Sequence, residues 1–212
     1  MIFCAAGNPR LARIAIENGM KYGAQLPNTV YHRPHFVDQD WRRPNRERYI
    51  AALEQYKPSI ATVLDLESED QLPEVMEWAH EAAEHVQQAV IIIPKVQGIV
   101  AHLPRTIAGK SVRLGYSVPT RYGGTELPLW DFTGWPVHLL GGSPQAQLRI
   151  ASYLDVRSAD CNAHVNAAQK GTIWDGQWKQ TDDTAPEFFY RCFGAACRNI
   201  VAAWRNLQET PR

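Results

Sequence analysis

Short apolar runs alternate with helical spacings along most of this chain. Ile2 to Ala6, Ile60 to Leu66, Ala89 to Val96, Val112 to Val118 and Val137 to Leu140 read as strands. The run from Ala89 is nearly continuous, as a parallel strand buried on both faces requires. Asn8 and Pro9 form an N-cap and N1 pair that opens a helix ending at Gly19. Tyr49, Ile50 and Leu53 share one face of a helix from Arg46 to Tyr56, which Lys57-Pro58 stops. Ser68 with Gln71 fits a capping box, and Leu72, Val75, Met76 and Ala79 share a face of the helix that runs on to Val86. Ile99 to Ala108 reads as a short helix despite Pro104. Ser143-Pro144 open another helix, and a short strand after it ends at Asp160. Pro186 to Gln208 is a final helix with an apolar stripe of Phe189, Phe193, Ala196, Ile200 and Trp204. Lys21 to Val30 is a weaker extended segment. Tyr31 to Asn45 (aromatic, basic, Pro-containing) and the Gly- and Trp-rich stretch from Arg121 to Trp135 read as long loops.

Six or seven such alternations with short connections specify an α/β protein. After the first strand, Cys4-Ala5-Ala6-Gly7-Asn8 has one glycine, so the dinucleotide fingerprint is absent, as is a phosphate-binding G-x(4)-G-K-[ST] loop. The expected architecture is therefore a TIM-type (β/α) barrel, compact, complete or incomplete, with the last helix docked on it. Residues 1–212 are expected to form one such domain.

Composition narrows the function classes. Twenty-two basic residues balance twenty-two acidic ones, so no global field points to nucleic acid. The densest basic cluster is Arg42, Arg43, Arg46 and Arg48, which reads either as a phosphate-contacting patch or as a solvated loop and first helical turn. The longest purely apolar run, Ala89 to Pro94, is too short to span a bilayer, and no secretory signal is visible. Cys4, Cys161, Cys192 and Cys197 lack metal-type spacing. Reduced thiols in a cytoplasmic setting are expected, with Cys4 a buried strand residue and no metal or cofactor.

In a barrel the C-terminal ends of the strands build the site. Here those ends carry Asp65 and Glu67; Lys95, Gln97 and Gly98; Gly115, Tyr116 and Ser117; Leu140, Gly141 and Gly142; and Ser158, Asp160, Cys161 and Asn162. Two aspartates from different strands can serve as nucleophile and as recogniser or acid–base partner. A carboxylate can attack an anomeric carbon and form a covalent glycosyl intermediate. A second can accept from the N–H groups of a guanine-like base, and Gln97 offers a donor and an acceptor. Asp65 also reads as an acid favoured at a helix N-terminus, and Asp160 as a turn-forming residue.

The chain resembles the tRNA-guanine transglycosylase superfamily, and most of all its small phage-type DNA 7-deazaguanine transglycosylases. His138-Leu139-Leu140-Gly141-Gly142-Ser143 lies where Y-L-M-G-V-G would, Ala159-Asp160-Cys161-Asn162 on F-D-C-V, and Ala168-Gln169-Lys170-Gly171 on A-R-x-G, with Gly176 following. Upstream, Leu64-Asp65-Leu66-Glu67 is similar to F-D-E-C, Pro94-Lys95-Val96-Gln97-Gly98 to the I-V-Q-G segment, and Leu114-Gly115 to I-G-G-L. The resemblance implies Asp160 as covalent nucleophile, with Asp65, Gln97, Gly98, Gly115, Leu140 and Gly141 around the base. It implies replacement of guanine in DNA (alternatively tRNA) by a 7-deazaguanine such as preQ0, in a host cytoplasm if the gene is a phage's. Three features depart from the family. P-T-R has become His164-Val165-Asn166, and the C-terminal zinc motif is absent. The D-S-G-G-F-Q motif, source of the general acid/base, has no clear counterpart; Asp38 and Asp40 are the acids at hand, and neither is assigned the role. Two other readings stay open: an N-glycosidase or deoxyribosyltransferase on free nucleosides, and a non-catalytic nucleobase- or DNA-binding subunit.

Overall fold

The computed structural model describes every residue except 1, 5–6, 27, 41, 122, 183–184 and 210–212, together with the side chain of Cys4. The expectations for Cys4 as a buried side chain and for residues 5–6 as strand thus lie outside the described residues. The strands are β1 (Ile2–Cys4), β2 (Lys21–Gln25), β3 (Phe36–Asp38), β4 (Ile60–Leu66), β5 (Ala89–Pro94), β6 (Thr106–Ile107), β7 (Lys110–Ser117), β8 (Pro136–Leu140), β9 (Asp155–Asp160), β10 (Thr172–Trp174) and β11 (Trp178–Gln180). Pairing runs in parallel from β1 through β5, then β5 to β7, β7 to β8, β8 to β9 and β9 back to β1. Among the described residues, eight parallel strands close into a TIM-type barrel, with β6 an antiparallel flap on β7.

Helices α1 (Pro9–Glu17), α2 (Arg46–Tyr56), α3 (Leu72–His85) and α4 (Pro144–Ala151) cross over between strands; α5 (Ala163–Gln169) and α6 (Phe188–Glu209) follow the last barrel strand. Their starts follow the capping chemistry. Asn8 Oδ1 accepts from Leu11 N, Ser143 Oγ from Ala146 N, and the Ser68–Gln71 box forms ahead of α3. The apolar stripe of α6 is buried, and the helix packs on α1, α4 and α5.

Two expectations are corrected. The segment read as one loop from Tyr31 to Asn45 contains β3, a three-residue barrel strand between β2 and β4. Ile99 to Ala108 is no α-helix: a 3-10 turn spans Ile99–His102, Pro104 follows, and Thr106–Ile107 pair with β7. Proline lacks the N–H an α-helix would need there and disfavours helical geometry at the residue before it.

The apolar residues divide into two cores. The larger lies between strands and helices; the smaller fills the barrel with Phe3, Phe36, Ile60, Ala89, Ile91 and Ile93. Strict alternation would keep Val63 and Leu66 on opposite faces, and likewise Val156 and Ala159. All four face the outer core. The cause is two bulges. Thr62 to Asp65 on β4 oppose Ile91 to Ile93 on β5, and Val156 to Ser158 on β9 oppose Val137 to His138 on β8. Each inserts one residue and flips the parity beyond it. Beyond them Asp65 and Asp160 turn inward.

Candidate active site

The C-terminal ends of the strands surround a cavity of about 810 Å³. Asp38, Asp65 and Asp160 line it from β3, β4 and β9, with Gln39, Lys95, Leu140 and Gly141. Ile93 and Phe36 form its apolar floor.

Asp160 ends β9. Its Oδ1 accepts from Gly141 N–H at 3.2 Å and lies 3.5 Å from His138 Nε2. Gly141 and Gly142 have φ of 63° and 78°, a left-handed pair that glycine adopts without strain, and a Cβ on Gly142 would lie 2.5 Å from Val118 Cγ1. Gln147, wholly buried on α4, donates through Nε2 to Gly141 O at 2.7 Å and Asp160 O at 2.6 Å. One side chain thereby holds the glycine turn and the strand end together. The neighbouring Cys161 is no rival nucleophile, since burial pushes its thiol up to about 12.

Asp38 is the acid whose environment is most unusual. Burial first, then the negative charge of Asp160, raises its pKa to about 7; Asp65 adds a little. Thr62 Oγ1 donates to its Oδ1 at 2.8 Å, and Thr62 Oγ1 accepts in turn from Gln39 N at 3.1 Å. Asp65 is also raised by burial, but Lys95 Nζ at 3.4 Å pulls the other way. Gln39 is 3% exposed, and its Oε1 has no hydrogen-bond partner among the described residues.

Of the residues singled out from the sequence, Asp65, Leu140, Gly141 and Asp160 meet in this cavity. Gly115 lies beneath it in the barrel wall, where a Cβ would stand 2.5 Å from Ile93 Cγ1 and 2.9 Å from Leu140 Cδ1. Gln97 and Gly98 are exposed and outside the cavity lining; Gly98 borders a smaller pocket with Arg105, Asp131 and Trp135. Arg42, Arg43 and Arg48 are exposed, whereas Arg46 is held by Glu77 at 2.9 Å and Glu81 at 2.8 Å. The sequence left Asp38 without a role and did not single out Gln39 or His138 as site residues; Lys95, one of the strand-end residues it did single out, lines the cavity. The usable signal was Phe-Val-Asp itself, a strand tripeptide with an acid at its end. His164, in the place of the lost P-T-R, is buried in α5, stacked on Phe193, and drawn down to about 4 by burial.

A closed (β/α) barrel with a carboxylate-lined cavity at its C-terminal face is the class of protein this is. Residues 13–205 match the model of a family of unknown function, DUF6610. The chain belongs to that family. No curated protein matches it. Among solved structures it is similar to the tryptophan synthase subunit alpha of Legionella pneumophila, with a TM-score of 0.43 and 12% identity over 97% of this chain and 92% of that one. No helix among the described residues is long and apolar enough to cross a membrane.

Proposed function

We propose that this protein is a base-exchange glycosyltransferase that replaces guanine in DNA by a 7-deazaguanine through a covalent aspartyl intermediate. The observation that carries the reading is the pairing of two unlike aspartates in one cavity. Asp160 is oriented by a backbone N–H, and Asp38 holds a proton near neutrality. A general acid/base works best with a pKa near the operating pH.

In this mechanism Asp160 Oδ2 bonds to C1′ as the C1′–N9 bond breaks. The electron pair goes to the departing guanine, which takes the proton of Asp38. The incoming base returns a proton to Asp38 and attacks C1′ through its own ring nitrogen, and the C1′–Oδ2 bond breaks. Asp65 and Gln39 Oε1, which has no partner among the described residues, are acceptors for guanine N–H groups, and Leu140 gives the base an apolar contact. Lys95 is the one cation among the described lining residues, against Asp38, Asp65, Glu67, Glu126 and Asp160. The phosphates therefore stay outside. A flipped-out nucleotide would insert only base and sugar, with Arg42 and Arg43, on the loop after Gln39, at the backbone.

The same acidic lining favours a second reading, in which the substrate is a free nucleoside and the enzyme a deoxyribosyltransferase or N-glycosidase. Mass spectrometry of nucleosides after incubation with DNA, tRNA or free deoxyguanosine plus labelled 7-deazaguanine separates the two. Label in DNA supports base exchange; label only in free nucleoside, or release of base without exchange, supports the second. Asp160→Asn is expected to lower incorporation at least about a thousandfold while the fold survives. Retained exchange in that variant removes Asp160 from the mechanism.

A further inference from the structure

One polar chain runs through the apolar barrel interior below the carboxylates. His138 is wholly buried there, its ring 4.7 Å from that of Phe36 and 6.2 Å from that of Phe3. Its Nδ1 lies 2.8 Å from Ser158 Oγ, and Arg113 Nη1 donates to the same oxygen at 2.9 Å. A guanidinium only donates, so Ser158 accepts from Arg113. An Nδ1–H on the second lone pair of the serine oxygen would leave the serine proton without an acceptor among the described residues and set the Nε2 lone pair against the Asp160 carboxylate, whereas a serine O–H donated to Nδ1 avoids both. Nδ1 is then the acceptor, and the ring proton sits on Nε2. That nitrogen is 3.5 Å from Asp160 Oδ1 and has no other partner among the described residues. Burial keeps the ring neutral against the opposing pull of Asp160. A contact of 3.5 Å is longer than a formed hydrogen bond, and such contacts in free enzymes tighten once substrate is bound.

We infer that His138 is the positioning residue of Asp160, with Arg113 and Ser158 fixing the tautomer in which Nε2–H points at the carboxylate. The inference rests on Asp160 being the nucleophile. Gly141 N–H and His138 Nε2–H converge on Oδ1 and leave Oδ2 for C1′. In the covalent intermediate Oδ1 is the ester carbonyl oxygen, and the same two donors stabilise the carboxylate that leaves when the new base attacks. Gln147 holds the main chain at this point; His138 sets the side chain. A phenylalanine would fill the same aromatic pocket without bringing polar groups into an apolar interior, so packing does not account for an imidazole here.

Long-range proton–nitrogen NMR on the full chain reads the tautomer without substrate. The expected result is a single Nε2–H form of His138 near neutral pH, giving way to a mixture or to Nδ1–H in Ser158→Ala, whose packing is otherwise kept. An Nδ1–H form in the unsubstituted protein overturns the inference. In base exchange, His138→Leu is expected to lower kcat about 10- to 100-fold with KM unchanged, and His138→Gln, which keeps an N–H donor, to recover part of it. Unchanged kcat in a folded His138→Leu also overturns it. If the tautomer is as expected but no substrate is exchanged by the unsubstituted protein, the base-exchange reading fails while the relay stands.

Discussion

The β3 and β4 corners of the cavity each present one aspartate, and the two carboxyls meet different partners. Asp65 on β4 faces Lys95 at 3.4 Å, so the burial that raises its pKa is opposed by a cation. Asp38 on β3 has a hydroxyl partner instead, and the next charge to act on it is that of Asp160. The difference teaches how one residue type acquires two kinds of chemistry within one barrel rim. A carboxylate beside a lysine is a fixed hydrogen-bond acceptor. A carboxyl that is buried first of all, and beside another carboxylate as well, keeps its proton and can give it away.

The largest effect that would break this contrast comes from Asp38→Asn. Exchange activity is expected to fall about 10²- to 10⁴-fold in kcat, with little change in KM. The same variant has a stability signature. The pKa of Asp38 is raised on folding from 3.8 to about 7. The folded state therefore binds the proton more tightly than the unfolded state. Its contribution is complete below pH 4 and is lost as pH rises through about 7. Asp38→Asn is expected to stabilise the protein by roughly 4 kcal/mol at pH 8 and by nothing at pH 4, as read by denaturant unfolding at the two pH values. Equal effects at both would mean that Asp38 is an ordinary ionised carboxylate. A smaller effect is expected at the other corner. Lys95→Met should raise KM for the guanine substrate about tenfold, with kcat nearly unchanged, because Asp65 loses the charge that keeps it an acceptor. Unfolding should shift by less than about 1 kcal/mol, since the pair is partly exposed. A fall in kcat instead would make the two corners equivalent.

Much of the barrel was legible in the chain. Ala89–Pro94 is buried along its whole length, α3 starts at its capping box, and Asp160 ends its strand. What escaped was local and short. β3 has three residues and follows a proline-containing, aromatic and basic stretch, so no periodicity could reveal it, and the carboxyl it carries went unassigned. The bulges were equally silent. Read with a strict period of two, Val156 and Asp160 share a face, yet Val156 packs outward and Asp160 lines the cavity. Glycine spacing misled in one place: Gln97 and Gly98 follow β5 as a strand-end motif should, but the chain turns away there into its 3-10 turn, and Gln39 brings an amide to the cavity from the other side.

Base exchange by this protein stands or falls on the bond between Asp160 and the sugar. Its most direct measurement is intact-mass analysis of the protein quenched with a guanine-containing DNA oligonucleotide, followed by peptide mapping. The expected species has the mass of protein plus oligonucleotide less guanine, with the attachment on Asp160, and is absent from Asp160→Asn. An adduct on any other residue, or exchange of the base with no covalent species under any quench, would contradict it.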